Sequence, residues 1–241
     1  MRHRHISTIE PPSGNGRLAL VGSGPDDPWT KAILEAFAED GTRVPAVCLA
    51  VGAADEVERL APVGGEILTD LAVTSAKAVV PVVDRSAHPS AIDAVAGADL
   101  IVVAAEDPPR AVRALWSNPL WSATLGRLRD GALLAAVGKA AASMGSFVST
   151  GPRSWRRGLS LFPGTIVPAW DAVCTDDPDV QMPLTRSAPR PTTLVCVGQQ
   201  TAFVGSGGRW EVLGRGTVTI RTNDDWRSFE ASEVVRLPLA G

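Results

Sequence analysis

The chain has 241 residues, of which 45% are hydrophobic and 20% are charged, and its formal net charge is −3 with a pI of about 5.6. These values are typical of a folded globular protein, and the lack of a basic field argues against nucleic-acid binding. We predict one α/β domain over residues 17–241, preceded by a flexible Pro- and Gly-rich N-terminal arm over residues 1–16.

The first predicted strand, "RLALVG", is followed by the turn "SGPDDPW" and by a helix from Pro28 to Asp40. Asp27 is a suitable N-cap for this helix, Pro28 suits the first helical position, and Gly41 follows the predicted end. A dinucleotide-binding fingerprint would need glycine at position 27, and the carboxylates of Asp26 and Asp27 would repel a pyrophosphate there. We therefore predict no nucleotide cofactor.

Apolar strands and helices continue to alternate along the chain. The predicted strands are "VPAVCLAV", "AVVPVV", "DLIVVAA" and "ALLAAVG". The predicted helices lie within Glu56–Lys77, over Pro89–Ala96, and in "PPRAVRALW" and "PLWSATLGRLRD". Continuous rather than alternating hydrophobicity in the strands indicates that both faces of the sheet are covered. The pattern predicts a three-layer α/β sandwich with a mostly parallel sheet between helices.

The character of the sequence changes at Gly151. Scattered Pro and Arg residues predict a loop-rich region, with short strands at most, up to about Thr192. Within it, "RSWRR" is interpreted as a surface turn, with an anion clamp as the alternative. Beyond it, "TLVCVG", "TAFVG", "RWEVLG" and "GTVTIR" predict β-hairpins at the edge of the sheet. Edge strands of this kind favour a homodimer.

The three cysteines, Cys48, Cys174 and Cys196, have no metal-type spacing, and their odd number suits reduced thiols. No run reaches the roughly 18 apolar residues of a membrane span, and the N-terminus lacks the apolar stretch of a signal peptide. We therefore expect a cytoplasmic protein that has no membrane contact and no metal site. His88, just before a predicted helix, is interpreted as a helix-entry residue rather than a catalytic base.

The stretch "AAVGKAAASMGS", residues 135–146, predicts a strand, a tight turn and a helix. This is the geometry of a nucleophile elbow, in which a strained turn residue presents its side chain. The stretch resembles the "GSSAGAM" elbow of the cyanophycinase and dipeptidase E family of serine peptidases, whose fold is similar to class I glutamine amidotransferases. "RLALVGSG", "AGADLIVVAAEDPP", "RGLSLFPGTIVPAWD" and "VGQQTAFVGSGGRWEVLGRGTVTI" resemble further family segments in the same order.

The resemblance implies a catalytic triad whose members are all replaced here. The nucleophilic serine falls on Ala140, the histidine on Ala169, or on Trp170 if the gap is placed differently, and the glutamate on Gln199. An alanine has no oxygen with which to attack, and loss of any one triad member costs several orders of magnitude in rate. We therefore expect a catalytically inactive relative, with the methyl group of Ala140 pointing into the old cleft.

The resemblance also places Glu106 where the family has glycines near the oxyanion, and a carboxylate there would repel developing negative charge. The expected function is binding of a small peptide, an amino acid or a partner's terminus. The candidate ligand-binding residues are Lys139, Ser143, Trp170, Asp171 and Glu106. Trp170 is read either as a plug in the cleft or as a packed core aromatic.

An alternative is an active peptidase or amidohydrolase in which Ser143 is the nucleophile. Ser143 lies three positions beyond Ala140, and Lys139 would lower the pKa of the Ser143 hydroxyl as in Ser-Lys hydrolases. The competing interpretation is that Ser143 faces its own helix and that Lys139 is a solvated charge.

Overall fold

The computed structural model describes residues 16–38, 45–70, 77–84, 86–176, 184–190, 192–223 and 225–237. The predicted arm lies outside the described residues up to residue 15, and so does the predicted end of the first helix at residues 39–41. Gly16 is buried, and a Cβ on it would lie 2.0 Å from the carbonyl oxygen of Leu128. The packed domain therefore includes Gly16, which the sequence assigned to the arm.

Fourteen strands and seven helices lie within these ranges, and residues 184–187 are helical as well. The strands are β1 Arg17–Val21, β2 Ala46–Val51, β3 Lys77–Val82, β4 Leu100–Ala104, β5 Leu133–Val137, β6 Gly145–Gly151, β7 Ser154–Arg157, β8 Phe162–Pro168, β9 Thr193–Val197, β10 Thr201–Ser206, β11 Arg209–Gly214, β12 Val218–Thr222, β13 Asp225–Phe229 and β14 Val234–Arg236. The helices are α1 Pro28–Ala38, α2 Ala54–Asp70, α3 Pro89–Ala96, α4 Pro108–Leu115, α5 Pro119–Arg129, α6 Ala140–Ser143 and α7 Trp170–Asp176.

The main sheet has eight strands in the order β14-β11-β10-β1-β5-β4-β2-β3. The strands from β1 to β3 in this order are parallel, and β10, β11 and β14 are added antiparallel at one edge. One face of the sheet packs on α1 and α2, and the other packs on α3, α4, α5 and a second sheet. This confirms the predicted α/β class and explains the continuous apolar runs, since every parallel strand is covered on both faces.

The region predicted to be loop-rich contributes β7 and β8 to a second sheet of six strands, in the order β13-β12-β9-β8-β6-β7. This also corrects the hairpin prediction in part. "TAFVG" and "RWEVLG" do form the hairpin β10–β11 at the edge of the main sheet, but "TLVCVG" and "GTVTIR" form β9 and β12 of the second sheet. "RSWRR" lies largely in the edge strand β7, not in a surface turn.

The two sheets meet in one apolar core. Phe162 of β8 packs edge-on against Trp210 of β11 with ring centroids 5.1 Å apart, and Phe203 of β10 stacks on the same indole at 4.9 Å. The opposite face of the second sheet carries a small cluster of its own, which includes Val167, Leu194 and Cys196. Among the described residues, no helix has both the length and the apolar character required for a membrane crossing.

Three successive helices begin with a proline that follows a capping side chain. His88, Asp107 and Asn118 are the N-caps of α3, α4 and α5, and each accepts a hydrogen bond from a backbone N–H of the first turn. Nδ1 of His88 accepts from the N–H of Ser90 at 3.3 Å and lies 2.8 Å from the Ser90 hydroxyl. His88 is therefore a helix-entry residue, as predicted.

We expect His88→Ala to lower the free energy of unfolding by about 1 kcal/mol, because the first turn of α3 loses its side-chain acceptor. His88→Asn should retain most of this stability, since asparagine is a strong N-cap. Urea denaturation of the three proteins measures the difference. Equal losses for alanine and asparagine would show that capping is not what His88 contributes.

Candidate active site

The carboxyl ends of β1, β5, β8 and β9 come together at one end of the molecule. The N–H of Gly22, just after β1, donates to the carbonyl of Thr201 at 2.9 Å, and a Cβ on Gly22 would lie 1.9 Å from the carbonyl oxygen of Gly198. The hydroxyl oxygen of Ser23 accepts the N–H of Gln200 at 2.8 Å. The absence of a Cβ at position 22 thus lets the end of β1 contact the second sheet through the backbone of Gly198.

The turn after β5 has its tip at Gly138. This residue has a φ of +55° and donates its N–H to Val21 at 3.0 Å, whereas Lys139 already has right-handed helical angles. A Cβ on Gly138 would lie 2.9 Å from Cα of Gly24. The residue in the strained conformation of an elbow therefore has no side chain, and the β1–α1 turn occupies the space where one would begin.

Ala140 does not lie at the tip of the turn. It is the first residue of α6, is fully buried, and belongs to the main apolar core. The expectation that its methyl group points into a cleft is wrong, because the positive φ falls two residues earlier than the sequence comparison placed it. Gly138 is the one glycine between β5 and α6, and its tolerance of positive φ was the signal for the tip.

Ser143 and Lys139 do not form a nucleophile–base pair. Ser143 is fully buried, and its hydroxyl donates to the carbonyl of Ala140 at 2.6 Å. Nζ of Lys139 instead lies 2.9 Å from Oε2 of Glu106, in an ion pair whose side chains are 64% and 33% exposed. Of the predicted ligand-binding residues, Lys139 and Glu106 thus form an ion pair, whereas Ser143 is buried and hydrogen-bonded within α6.

Charged side chains continue from this pair along the carboxyl edge of the parallel strands. Asp107, next to Glu106, caps α4, and Nε of Arg110 lies 3.6 Å from its carboxylate. The same Nε lies 3.9 Å from Oε2 of Glu56, which also accepts the N–H of Ala53 at 2.6 Å. Exposed ion pairs of this kind contribute about 0–1 kcal/mol each, so the row does more to shape the local field than to stabilise the fold.

Asp171 lies two residues after Ala169, where the resemblance expects a base, and is hydrogen-bonded to Gln199, where it expects an acid. Ala169, between β8 and α7, has a φ of +50°, and Oδ1 of Asp171 accepts the N–H of Gln199 at 2.7 Å. Gln199 is exposed in the β9–β10 turn. The structure therefore brings Asp171 and Gln199 together, but with a backbone amide rather than a side chain as the donor.

Trp170 packs on the outer face of the second sheet. Its ring is stacked with that of Trp226, with centroids 6.3 Å apart and an interplanar angle of 15°, and it contacts the small cluster around Val167. It is thus a packed aromatic of this satellite cluster rather than part of the main core. Within the described ranges, no three His, Cys, Asp or Glu side chains are grouped to hold a metal ion.

Open cavities occur elsewhere on the described surface. Three of about 350, 330 and 290 Å³ are present, and none of these three is lined by residues of the β5–α6 turn.

No protein-family model and no curated protein matches the sequence. The fold is similar to the crystal structure of a peptidase from an acI-B1 Actinobacterium, with a TM-score of 0.79 and 21% identity over 92% of this chain and 97% of that one. It is also similar to a putative peptidase E protein from Listeria monocytogenes EGD-e, with a TM-score of 0.57 and 12% identity over 90% and 99% of the two chains. At these identities the likeness concerns the fold alone, and it confirms the α/β architecture that the sequence predicts.

Proposed function

We propose that this chain is a non-hydrolysing relative of the peptidases whose fold it shares, and that it binds a small peptide, an amino acid or a partner's terminus. The observation that carries the proposal is Gly138: the strained position of the elbow has no side chain and no room for one. Covalent hydrolysis by a serine-type mechanism needs a hydroxyl at such a tip, activated by a neighbouring base.

The surroundings of Gly138 support the same conclusion. The nearest serine along α6, Ser143, donates its hydroxyl to its own helix and has no solvent access. Neither Ala169 nor Gln199 carries a group that takes up a proton near neutral pH. A nucleophile, a base and an orienting acid would all have to come from other residues.

Binding is the role that the remaining side chains suit. Lys139 and Glu106 offer an ammonium and a carboxylate 2.9 Å apart, which complement the carboxylate and ammonium of a zwitterionic peptide or amino acid. Asp171 adds a second carboxylate beside the exposed Gln199. The cytoplasmic location and the homodimer expected from the sequence remain predictions.

We expect purified protein to hydrolyse neither dipeptides, β-aspartyl peptides nor small esters, and to remain unlabelled by a fluorophosphonate probe. The physical reason is that no described serine hydroxyl lies at the tip of the elbow, where such a mechanism needs its nucleophile. Turnover and intact-mass labelling should both match those of the heat-denatured protein.

Ser143→Ala is the matched control for this assay. Trace activity that persists equally in Ser143→Ala comes from a contaminant, whereas labelling at Ser143 that the variant abolishes would overturn the proposal. Titration of the same preparations with dipeptides, followed by backbone NMR, should shift the amide signals of Lys139, Glu106 and Gln199. Shifts confined to other regions would contradict binding at this site.

A further inference from the structure

A cavity of about 350 Å³ lies between the β12–β13 hairpin and β14, where the edge strand of one sheet meets that of the other. Gly198 donates its N–H to Thr217 at the start of β12, next to the β9–β10 turn, and Asn223 follows the opposite end of that strand. The cavity is therefore separate from the proposed peptide-binding cluster, and its occupancy does not depend on the proposal above.

The register of the strands decides which side chains face this cavity. Ile220 lies opposite Arg227 and Thr222 lies opposite Asp225 in the β12–β13 pair, so alternate residues of β13 turn to the same side. Ile220, Phe229, Val235 and Leu237 line the cavity with apolar side chains, and Ile220 and Val235 are buried in the main core. The cavity therefore has an apolar floor that is continuous with the core.

The rim of the cavity carries charge. Nε of Arg227 lies 3.0 Å from Oδ2 of Asp225, and Arg236 also lines the cavity. Among the described residues, Asp225 is the one side chain that accepts a hydrogen bond from the Arg227 guanidinium, and the Arg227 side chain is 73% exposed. Among the described residues that line the cavity, Arg227, Arg236 and Asp225 carry charge, so these side chains together have an excess of positive charge.

We infer that this cavity binds an α-carboxylate that carries a large apolar side chain, as in a free apolar amino acid or the carboxyl-terminal residue of a peptide. The apolar floor takes up the side chain, and the guanidinium of Arg227 accommodates the carboxylate. Asp225 lies where it would receive the ammonium group of a free amino acid. The volume is at the low end of the range of small-molecule sites, which suits a single residue.

Isothermal titration calorimetry with four probes tests the inference. N-acetyl-L-phenylalanine and L-phenylalanine should bind, N-acetyl-L-phenylalaninamide should bind about fivefold more weakly for lack of the carboxylate, and N-acetylglycine about thirtyfold more weakly for lack of the apolar side chain. Tighter binding of free phenylalanine than of the acetylated acid identifies an amino acid as the ligand. The reverse order identifies a peptide terminus.

Two variants locate the site. Arg227→Gln should weaken binding of the acids about fivefold, because an exposed ion pair is lost, and Thr222→Trp should abolish binding by filling the cavity from its rim. Arg129→Gln, at an exposed position of α5, is the matched control and should bind like the parent protein. The inference is overturned if the amide binds as tightly as the acid, if Arg227→Gln has no effect, or if neither acid saturates the protein at about 10 mM.

Discussion

Gly138→Ser is expected to lower the free energy of unfolding by about 2–5 kcal/mol and to produce no hydrolase. An L-residue at a φ of +55° costs about 1–2 kcal/mol relative to glycine. The new Cβ would in addition lie 2.9 Å from Cα of Gly24 and 3.3 Å from the carbonyl oxygen of Ser23, and both of these are backbone atoms. The β1–α1 turn must shift to admit the side chain, which adds a packing cost of about 1–3 kcal/mol.

Gly126→Ser is the matched control for this substitution. Gly126 lies within α5, and a Cβ there meets nothing within 4 Å, so the helix should gain stability from the loss of glycine. Urea denaturation should thus move the two midpoints in opposite directions. A Gly138→Ser protein as stable as its parent, or one that reacts with a fluorophosphonate, would mean that the tip has room for a nucleophile after all.

The parallel strands could be predicted from the sequence because their information is local. β2, β4 and β5 are continuous apolar runs of five or six residues, and every one of their residues is buried. The second sheet could not be predicted in the same way. β6 and β8 begin or end with Gly or Pro, part of each strand is only partly buried, and β8 forms a sheet only by pairing with β6 and β9. Pairing of that kind depends on contacts distant in the sequence.

The backbone elements around the candidate site were predicted, whereas the angles of the turn and the burial of its side chains were not. Strand, turn and helix at residues 135–146 are present, and Lys139 and Glu106 lie together because β4 and β5 are parallel neighbours in the register Ala104↔Val137. The tip of the turn was placed on Ala140, since matching letters to a family motif gives no backbone angles. The left-handed angle of Ala169 and the burial of Ser143 also depend on packing that no local pattern encodes.

The second prediction is that the buried thiol of Cys48 makes the folded protein less stable at alkaline pH. This residue lies in the middle of β2, is fully buried, and faces α2 so closely that a Cβ on Gly64 would lie 2.8 Å from its sulfur. Burial raises the pKa of the Cys48 thiol from 9.0 to about 12, because the thiolate would have to form without solvation. The unfolded chain therefore releases this proton at a lower pH than the folded protein does.

The protonated Cys48 thiol contributes to the free energy of unfolding, and this contribution is fully present below pH 9. It is lost as the pH rises toward 12, at about 1.4 kcal/mol per pH unit and about 4 kcal/mol in total. Cys48→Ala should be about 1–2 kcal/mol less stable than the parent at neutral pH, because it leaves a small void. The variant has no thiol to ionise at this position, so between about pH 9 and pH 11 its free energy of unfolding should fall by about 3 kcal/mol less than that of the parent. The variant should therefore be the more stable of the two proteins at about pH 11. Urea denaturation of both proteins across this range measures the difference, in which the titration of lysines cancels. Parallel curves would show that the thiol of Cys48 ionises as readily in the folded protein as in the unfolded chain.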